Sequence, residues 1–271
     1  MPELPEVETV RSGLQRHLRG MKLDRTTLRR QDLRWPIPGQ AVAALGGQPL
    51  DSVHRRGKYL LLAFGDRTAL VHLGMSGRLF LGRPDAAWQK HEHWRMYFGD
   101  RVLRYVDARR FGVLDVVATA GLATHRLLRS LGPEPLGSAF DGAYLWRVTR
   151  RKSCPIQALL MDSRRVVGIG NIYANEALFH AGIAPRRRAG RLTRRECAQL
   201  AAAVREVLHA AIDCGGTTLR DYIGADAQEG WFQQELRVYG RAGAPCRVCA
   251  TPVREVQLGG RSTCWCPTCQ D

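Results

Sequence analysis

No apolar run in this 271-residue sequence approaches the ~20 residues that a membrane-spanning helix needs. Residues 1–20 are charged throughout, so they do not resemble a secretion signal. Internal repeats and low-complexity tracts are absent as well. We therefore expect a cytoplasmic protein without a membrane partner, of a length that suits two domains.

Lysine is scarce, although the chain is strongly basic. Only four of the 41 cationic residues are lysines, namely Lys22, Lys58, Lys90 and Lys152, and the net charge is +16. This excess predicts a polyanionic partner, and nucleic acid is favoured over an anionic membrane. Because lysine can transfer protons and arginine cannot readily do so, each lysine is a candidate for proton transfer. For any single lysine, however, its presence by chance is the simpler explanation.

Disulfides are not expected among the eight cysteines, because the chain has no secretion signal. Four of them form two Cys-x2-Cys pairs, Cys246 with Cys249 and Cys266 with Cys269, sixteen residues apart. This spacing is typical of a zinc ribbon, in which four thiolates make a closed tetrahedral site for one structural Zn²⁺. Cys264 could replace Cys266 as a ligand, but it has no second cysteine at the Cys-x2-Cys spacing. We expect the others to be packed thiols: Cys154, Cys197 and Cys214.

The chain begins Met1-Pro2-Glu3-Leu4-Pro5-Glu6. If Met1 is removed, Pro2 becomes a secondary amine that can attack an electrophilic carbon and form an iminium. Glu3 and Glu6 would place carboxylates for proton transfer beside it. Proline followed by acidic residues is also a common helix start, and these six residues alone favour that interpretation.

Hydrophobic periodicity predicts a helix first and then a β-rich region. Val7, Val10, Leu14 and Leu18 predict an amphipathic helix over 5–19. Farther on, short apolar runs alternate with turns rich in glycine and aspartate, which predicts an antiparallel sandwich or barrel. The predicted strands are 59–64, 68–73, 78–81, 94–98, 102–106 and 112–117.

The segment GPEPLG at 132–137 predicts an interdomain linker, after which the helical period returns. Residues 237–271 hold the paired cysteines and a predicted hairpin of 253–258 and 261–265. The predicted helices are 141–151, 155–164, 171–181 and 193–213.

Four positions in loops suit nucleic-acid contact, and each also has a simpler explanation. Met75 lies between glycines and can wedge between bases, although core packing is commoner. DARRFG (107–112) offers cations and an aromatic side chain, as an ordinary charged loop also does. VGIGN (167–171) lacks the third glycine of a dinucleotide-binding loop. A helix-turn-helix loop that directs Asn171 at a phosphate fits better, and a plain turn between helices is the simpler explanation. Arg261 follows the hairpin glycines, where it can contact the DNA backbone, although an ordinary solvated arginine in a turn is the simpler explanation.

Together these segments resemble one family, the bacterial formamidopyrimidine-DNA glycosylases. The match runs in order through nearly the whole chain, and chance would not produce so many matches together. It is carried by PELPEVE (2–8), RRGKYLL (55–61), HLGMSG (72–77), DARRFG (107–112), LGPEPL (131–136), LMD (160–162), VVGIGNIYANE (166–176), GGTTLRDY (215–222), ELRVYGR (235–241) and the four-cysteine site.

The resemblance implies four catalytic residues. Pro2 would attack C1′ of the damaged nucleotide as the Schiff-base nucleophile, and Glu3 would transfer protons during glycosidic cleavage and sugar-ring opening. Lys58 would assist β-elimination. Arg261 would engage the phosphate during δ-elimination, by charge stabilisation rather than proton donation, because its pKa is high.

The resemblance also implies the DNA contacts. Met75, Arg109 and Phe111 would fill the gap that an everted base leaves. Residues 216–234 would close over the damaged base. The expected partner is damaged double-stranded DNA, bound by a monomer at the bacterial nucleoid with no obligate protein partner. The DNA contacts it implies are His91, Arg109, Lys152 and Asn171.

The implied fold is α+β, with a β-sandwich that begins with the catalytic helix, a helix-two-turns-helix domain and a zinc ribbon. The corresponding ranges are 1–131, a linker at 132–140, 141–236 and 237–271. The implied activity is that of a bifunctional DNA glycosylase/AP lyase. Such an enzyme removes oxidised purines, 8-oxoguanine and formamidopyrimidines, and then cuts the strand by β,δ-elimination.

Two positions depart from the family pattern. Gln157 stands where lysine is usual, and Cys264 stands where an aromatic residue is usual in the zinc hairpin. Neither departure touches the nucleophile, so they bear on DNA affinity and lesion preference more than on the reaction.

Two alternative functions remain open. A glycosylase of the related endonuclease VIII type would prefer oxidised pyrimidines, and PELPEVE and the Met-Arg-Phe set argue against it. A non-catalytic zinc protein that senses DNA damage would not need Pro2, Glu3 and Lys58 together.

Overall fold

The computed structural model describes residues 2–216 and 235–271, which form two compact units. Of the described residues, the first unit holds those up to Arg129 together with Gly215 and Gly216, and the second holds Ser130–Cys214 and the C-terminal segment. No helix in the described ranges is both long and apolar enough to cross a membrane. The four domain ranges given above stay predictions.

The first unit begins with helix α1 (Leu4–Leu18), which buries Val7, Val10, Leu14 and Leu18 as the sequence pattern predicted. A short helix α2 (Gly39–Ala43) and a 3₁₀ helix (Thr119–Thr124) complete its helical part. Its strands are β1 (Arg25–Leu28), β2 (Ser52–Arg56), β3 (Tyr59–Phe64), β4 (Arg67–His72), β5 (Arg78–Gly82), β6 (Glu92–Phe98), β7 (Arg101–Val106) and β8 (Val113–Ala118).

These strands form two four-stranded antiparallel sheets, in the orders β1-β6-β7-β5 and β2-β3-β4-β8. One hydrophobic core joins them: Leu60 and Leu62 of the second sheet belong to the same buried cluster as Met96 and Leu103 of the first. The apolar face of α1 packs into this cluster as well. The prediction of an antiparallel β-sandwich with a leading helix is confirmed.

Strands β1 and β2 were absent from the sequence prediction. Each lies at the edge of its sheet, and their sequences, RTTL and SVHRR, are short and polar. Edge strands need less apolar surface than central ones and commonly carry charged side chains. Hydrophobic patterning alone therefore does not find them.

The second unit is helical, with a small hairpin. Its elements are α3 (Gly142–Thr149), α4 (Ile156–Leu160), α5 (Asn171–His180), a 3₁₀ helix (Ala189–Arg191), α6 (Arg194–Asp213), β9 (Arg254–Leu258) and β10 (Arg261–Trp265). Helix α6 starts with a capping box, in which the Thr193 amide donates to Glu196 Oε2 at 2.7 Å and the Glu196 amide donates to Thr193 Oγ1 at 3.2 Å.

One predicted helix of this unit needs correction. The helix expected over 155–164 is only the five residues of α4, because the chain turns at Asp162, whose carbonyl accepts from the amides of Arg165 and Val166. The linker at 132–140 stays a prediction, and its first residues are packed. The Gly132 amide donates to Ser163 O and the Val167 amide donates to Pro133 O, so this segment lies on the same turn.

Candidate functional site

The start of α1 carries Pro2 and Glu3. Glu3 caps the helix, and its amide donates to Glu6 Oε2 at 2.9 Å. Glu3 and Glu6 are both only 1% exposed, whereas Pro2 is half-buried. The capping box accounts for Glu6 structurally. It also holds a buried Glu3 carboxylate directly beside the residue that becomes the amino terminus when Met1 is removed.

An ion pair ties α1 to the turn that carries Lys58. Arg55 Nε donates to Glu8 Oε2 at 2.8 Å, and Arg55 Nη1 donates to the carbonyl of Gly57 at 2.9 Å. Gly57 and Lys58 form the turn between β2 and β3, with Gly57 at φ 59°. Arg55 therefore links the helix that follows Pro2 and Glu3 to the main chain next to Lys58.

His72 lies at the end of β4, opposite Tyr59 in the sheet. Burial, reinforced by the cations of Lys58 and Arg34, lowers the pKa of His72 to about 4. The neutral ring accepts from the Gly74 amide through Nδ1 at 2.9 Å, so its proton is on Nε2. An uncharged histidine thus supports the turn that carries Met75.

Met75 and Phe111 are exposed, at 43% and 42%. Core packing, the commoner alternative for Met75, does not occur, because the hydrogen bond from the Gly77 amide to Leu73 O closes a turn that leaves Met75 exposed. The Arg109 guanidinium stacks on the Phe111 ring, 4.8 Å from its centroid. The three residues expected to fill the gap of an everted base therefore form one exposed group on two neighbouring loops, which we call the wedge.

His91 is exposed at the end of the loop between β5 and β6, with a left-handed backbone (φ 63°). A buried ion cluster holds this loop. Arg95 and Arg104 both bind Glu92 at 2.6 Å, and they donate to the carbonyls of Ala86 at 2.8 Å and Ala87 at 2.7 Å. Burial raises the pKa of Glu92, but the hydrogen bonds from Arg104 and Arg95 outweigh it and lower the pKa to about 2.

In the second unit, Asn171 is the first residue of α5 and its side-chain amide is used within the chain. Nδ2 donates to Ser262 O at 2.7 Å, and Oδ1 accepts from Gln157 Nε2 at 2.8 Å. Asn175, one turn along, accepts the Cys264 amide at 2.7 Å. Asn171 and Asn175 thus attach strand β10 to α5, and a DNA contact by Asn171 stays a prediction. Lys152 is half-buried after α3.

The four predicted zinc ligands form one cluster, with their sulfur atoms within 4.8 Å of one another. The Sγ–Sγ distance is 4.0 Å between Cys246 and Cys269 and 3.4 Å between Cys249 and Cys266. Zn–S bonds of 2.3 Å in a tetrahedron require about 3.8 Å, so the cluster fits one Zn²⁺. Cys264 lies outside it, buried near Glu255, so Cys266 rather than Cys264 completes the cluster.

Arg261 is exposed at the first position of β10. The preceding Gly259 and Gly260 both have positive φ, 56° and 75°, the backbone that a two-residue hairpin turn requires. The hairpin runs from Arg254 to Trp265, with Arg261 opposite Leu258. The prediction that Arg261 projects from the tip of this hairpin is confirmed.

Comparison with known proteins covers the whole chain. Family models match residues 1–114 (formamidopyrimidine-DNA glycosylase N-terminal domain), 131–222 (formamidopyrimidine-DNA glycosylase H2TH domain) and 243–271 (zinc finger found in FPG and IleRS). Formamidopyrimidine-DNA glycosylases from Cellvibrio japonicus and Thioalkalivibrio sulfidiphilus are 50% and 51% identical, each over 100% of both chains. The chain belongs to the formamidopyrimidine-DNA glycosylase family.

Solved structures of the family give the same result. A Lactococcus lactis FPG mutant in complex with Fapy-dG-containing DNA has 34% identity, covers 100% of both chains and superimposes with a TM-score of 0.93. MutM in complex with DNA that contains carbocyclic 8-oxo-G has 34% identity, the same coverage and a TM-score of 0.91. The protein is thus a base-excision DNA glycosylase with an α+β fold, an H2TH domain and a zinc finger.

Sequence reasoning missed the residues that hold the site together. Glu8 and Arg55 lie inside the matched motifs, but nothing local shows that they pair. Glu176 is buried in α5 and accepts the amides of Arg237, Val238 and Tyr239 at 2.8–3.0 Å. Apart from Gly216, the loop expected over 216–234 lies outside the described residues.

Proposed function

We propose that this protein removes oxidised purines, 8-oxoguanine and formamidopyrimidines, from double-stranded DNA and then cuts the strand as an AP lyase. The observation that carries the proposal is the start of α1, where a buried Glu3 carboxylate adjoins half-buried Pro2. The secondary amine of Pro2 would attack C1′ while the C1′–N9 bond breaks. The base would leave with a proton, and Glu3 would move protons as the sugar ring opens.

Lys58 and Arg261 would serve the later steps. The iminium at C1′ acidifies the C2′ proton, whose removal, assisted by Lys58, expels the 3′ phosphate. A second elimination expels the 5′ phosphate, whose charge Arg261 would stabilise. Hydrolysis of the iminium then returns the amine of Pro2. Lys58 is supported by its turn, which Arg55 ties to α1, and Arg261 by its exposed place after the glycine turn.

The proposed DNA contacts are the wedge (Met75, Arg109 and Phe111) with His91, Lys152 and Asn171. Exposed apolar side chains at positions 75 and 111 support the wedge, because such residues can fill a gap in a base stack. The net charge of +16 supports binding to a polyanion. Cys246, Cys249, Cys266 and Cys269 would hold one structural Zn²⁺ that stabilises the hairpin.

A cleavage assay tests the proposal against both alternatives. Duplexes with 8-oxoguanine opposite cytosine, with an oxidised pyrimidine, and without damage are incubated with excess protein, and the ends are resolved on a denaturing gel. We expect cutting at 8-oxoguanine, with phosphates on both ends of a one-nucleotide gap. Preference for the oxidised pyrimidine would indicate the endonuclease VIII type. Binding without cutting would indicate a damage sensor.

Glu3→Gln is the matched variant for this assay, because it keeps the size of the side chain and removes its acid/base function. We expect base excision to fall by about 10²–10⁴-fold. DNA affinity should change little, because the side chain is buried. Undiminished excision by Glu3→Gln would remove Glu3 from the proposed mechanism.

We also propose that the protein acts as a monomer in the bacterial cytoplasm, on nucleoid DNA. Its DNA substrate and its positive charge support this location. Light scattering of the purified protein would give the mass of one chain, and a fluorescent fusion would overlay a DNA stain. A dimer mass or a fusion at the cell envelope would contradict the proposal.

A further inference from the structure

Asp107 is a buried acid to which the proposed mechanism gives no part. It follows β7, opens the DARRFG segment and is 0% exposed. Burial of a carboxylate is costly unless hydrogen-bond donors surround it. Its partners therefore show what the burial achieves.

Four donors bind its two carboxylate oxygens. Oδ1 accepts from the Ser76 hydroxyl at 2.6 Å and from the Arg109 amide at 3.2 Å. Oδ2 accepts from the Gly112 amide at 2.9 Å and from the Tyr105 hydroxyl at 3.1 Å. Ser76 neighbours Met75, whereas Arg109 and Gly112 bracket Phe111, so one carboxylate joins both loops of the wedge.

The main chain of Asp107 extends the connection to His91. Its amide donates to His91 O at 2.9 Å, and its carbonyl accepts from His93 Nε2 at 2.7 Å. A carbonyl cannot donate, so the proton of His93 is on Nε2. His91, which carries the proposed DNA contact next to the wedge, is thus fixed to the same residue.

The glycines around Asp107 show that the two wedge loops are closely packed against each other. A Cβ at Gly74 would lie 2.5 Å from the Phe111 carbonyl carbon, so the two loops meet backbone to backbone. A Cβ at Gly77 would lie 2.6 Å from the Tyr105 hydroxyl, and one at Gly112 would overlap that hydroxyl. The loops therefore have no room to approach each other further, and the bonds to the carboxylate oppose their separation.

We propose that Asp107 is the positioning residue of the wedge, and this rests on the proposed function. Its carboxylate fixes Met75 and Phe111 at one spacing before DNA binds, so the wedge enters the base stack without a rearrangement of its loops. A preorganised wedge makes eversion of a paired base faster, whereas a site that already lacks its base needs the wedge less.

Asp107→Asn is the decisive substitution. If its Nδ2 takes the place of Oδ1, the Ser76 hydroxyl can turn to accept, but the Arg109 amide faces another donor. If Nδ2 takes the place of Oδ2, the Tyr105 hydroxyl can turn to accept from it, but the Gly112 amide faces another donor. Either orientation thus deprives one wedge amide of its carboxylate acceptor, and in the first the Arg109 amide keeps only its 3.3 Å bond to Ser76 Oγ. Asp100→Asn is the matched control, because it removes the same charge from an exposed turn of the same unit.

Single-turnover rates on two duplexes separate positioning from general damage. We expect Asp107→Asn to slow excision of 8-oxoguanine opposite cytosine by about 10- to 100-fold. Cutting at a preformed abasic site should stay within about threefold of wild type. Asp100→Asn should match wild type on both. Equal losses on the two duplexes, or no loss on either, would overturn the proposal.

A double-mutant cycle tests whether Asp107 acts through the wedge. Met75→Ala removes the wedge side chain, so adding Asp107→Asn should cost much less than it costs alone. Additive losses would overturn the proposal. If Asp107→Asn fails to fold, Ser76→Ala takes its place. It removes one donor to the same carboxylate, so it should slow excision of 8-oxoguanine by a smaller factor and leave cutting at the abasic site unchanged. An equal loss of rate on both duplexes would overturn the proposal.

A binding readout keeps this inference separate from the proposed function. A 2-aminopurine opposite a non-cleavable abasic analogue brightens when the wedge unstacks it, and no turnover is needed. Wild type should brighten the probe and Asp107→Asn should do so less at saturating protein. An inactive wild type would defeat the proposed function, and this fluorescence would still decide the role of Asp107. Equal brightening by both proteins would overturn that role.

Discussion

The wedge loops and the zinc hairpin both present side chains proposed to touch DNA, but different chemistry holds them. In the first unit, the Asp107 carboxylate gathers four donors from the chain itself. In the second, four cysteine sulfurs converge within 4.8 Å, an arrangement that suits a metal ion.

The two regions also differ in the apolar core beneath them. The wedge loops adjoin a cluster that includes Leu73, Leu79, Trp94 and Tyr105 and spans both sheets. The core of the hairpin is small, and Cys246, Cys264 and Cys266 make up much of it. The bonds that organise the wedge thus come from the chain itself, whereas we expect the hairpin to depend on a bound ion for its stability.

Loss of the metal should disorder the hairpin and leave the wedge loops intact, and this is the largest effect that we expect. Cys249→Ser should lower zinc from about one ion per chain towards none and weaken DNA binding by about 100-fold or more, because the hairpin that carries Arg261 disorders. Metal analysis and a binding titration measure both. Cys154→Ser, outside the cluster, is the control. Wild-type affinity in metal-free Cys249→Ser would contradict the expectation.

Gly74→Ala should disrupt the wedge loops and leave the zinc hairpin intact. Gly74 has φ 67°, and a methyl group there would meet the Phe111 backbone at 2.5 Å, so the wedge loops must separate. Left-handed strain alone costs about 1–3 kcal/mol. We expect excision of 8-oxoguanine to fall by at least about tenfold while zinc content stays at the wild-type level. A simultaneous loss of zinc would show that the regions are not independent.

Acid should weaken the first unit through His72. Its pKa of about 4 lies below the ordinary value, so the folded state binds fewer protons than the unfolded state between these values. The contribution of His72 to the free energy of unfolding is therefore fully present above pH ~6.5 and falls by on the order of 3 kcal/mol as the pH approaches 4. His72→Asn should flatten this dependence in urea titrations.

A zinc-sensitive dye in the same samples reports acid effects on the hairpin separately. If His72→Asn and wild type lose stability in parallel between pH 6.5 and 4, the buried neutral histidine is not the cause.

Gln157→Lys should have the smallest effect. Gln157 is 1% exposed and donates to Asn171, which a lysine ammonium can also do. We therefore expect DNA affinity within about threefold of wild type. A lysine that reaches a phosphate would steepen the log–log salt dependence by about one unit. A gain confined to damaged duplex would instead show that the position contacts the lesion.

Sequence patterning predicted the elements that bury an apolar face and missed those that do not. Helix α1 and the central strands follow from spacing at Val7, Val10, Leu14 and Leu18 and from alternation in runs such as 59–64. Strands β1 and β2 are polar edges whose pairing depends on partners far along the chain.

The candidate site shows the same division. The cysteine spacing and the family motifs predicted the zinc cluster and the position of Arg261 at the hairpin tip. Asp107, however, lies 31 residues from Ser76, and Arg55 lies 47 residues from Glu8. Only the fold brings these pairs together, so no local pattern could reveal which residues hold the site.

Borohydride trapping shows directly whether Pro2 is the covalent nucleophile. Protein is mixed with duplex that contains 8-oxoguanine opposite cytosine, reduced, digested and sequenced by mass spectrometry. We expect one adduct, on residue 2, and none when Met1 is retained ahead of it. Pro2→Gly keeps an amine and should trap weakly. An adduct on Lys58, or active protein that traps nothing, would contradict this role of Pro2.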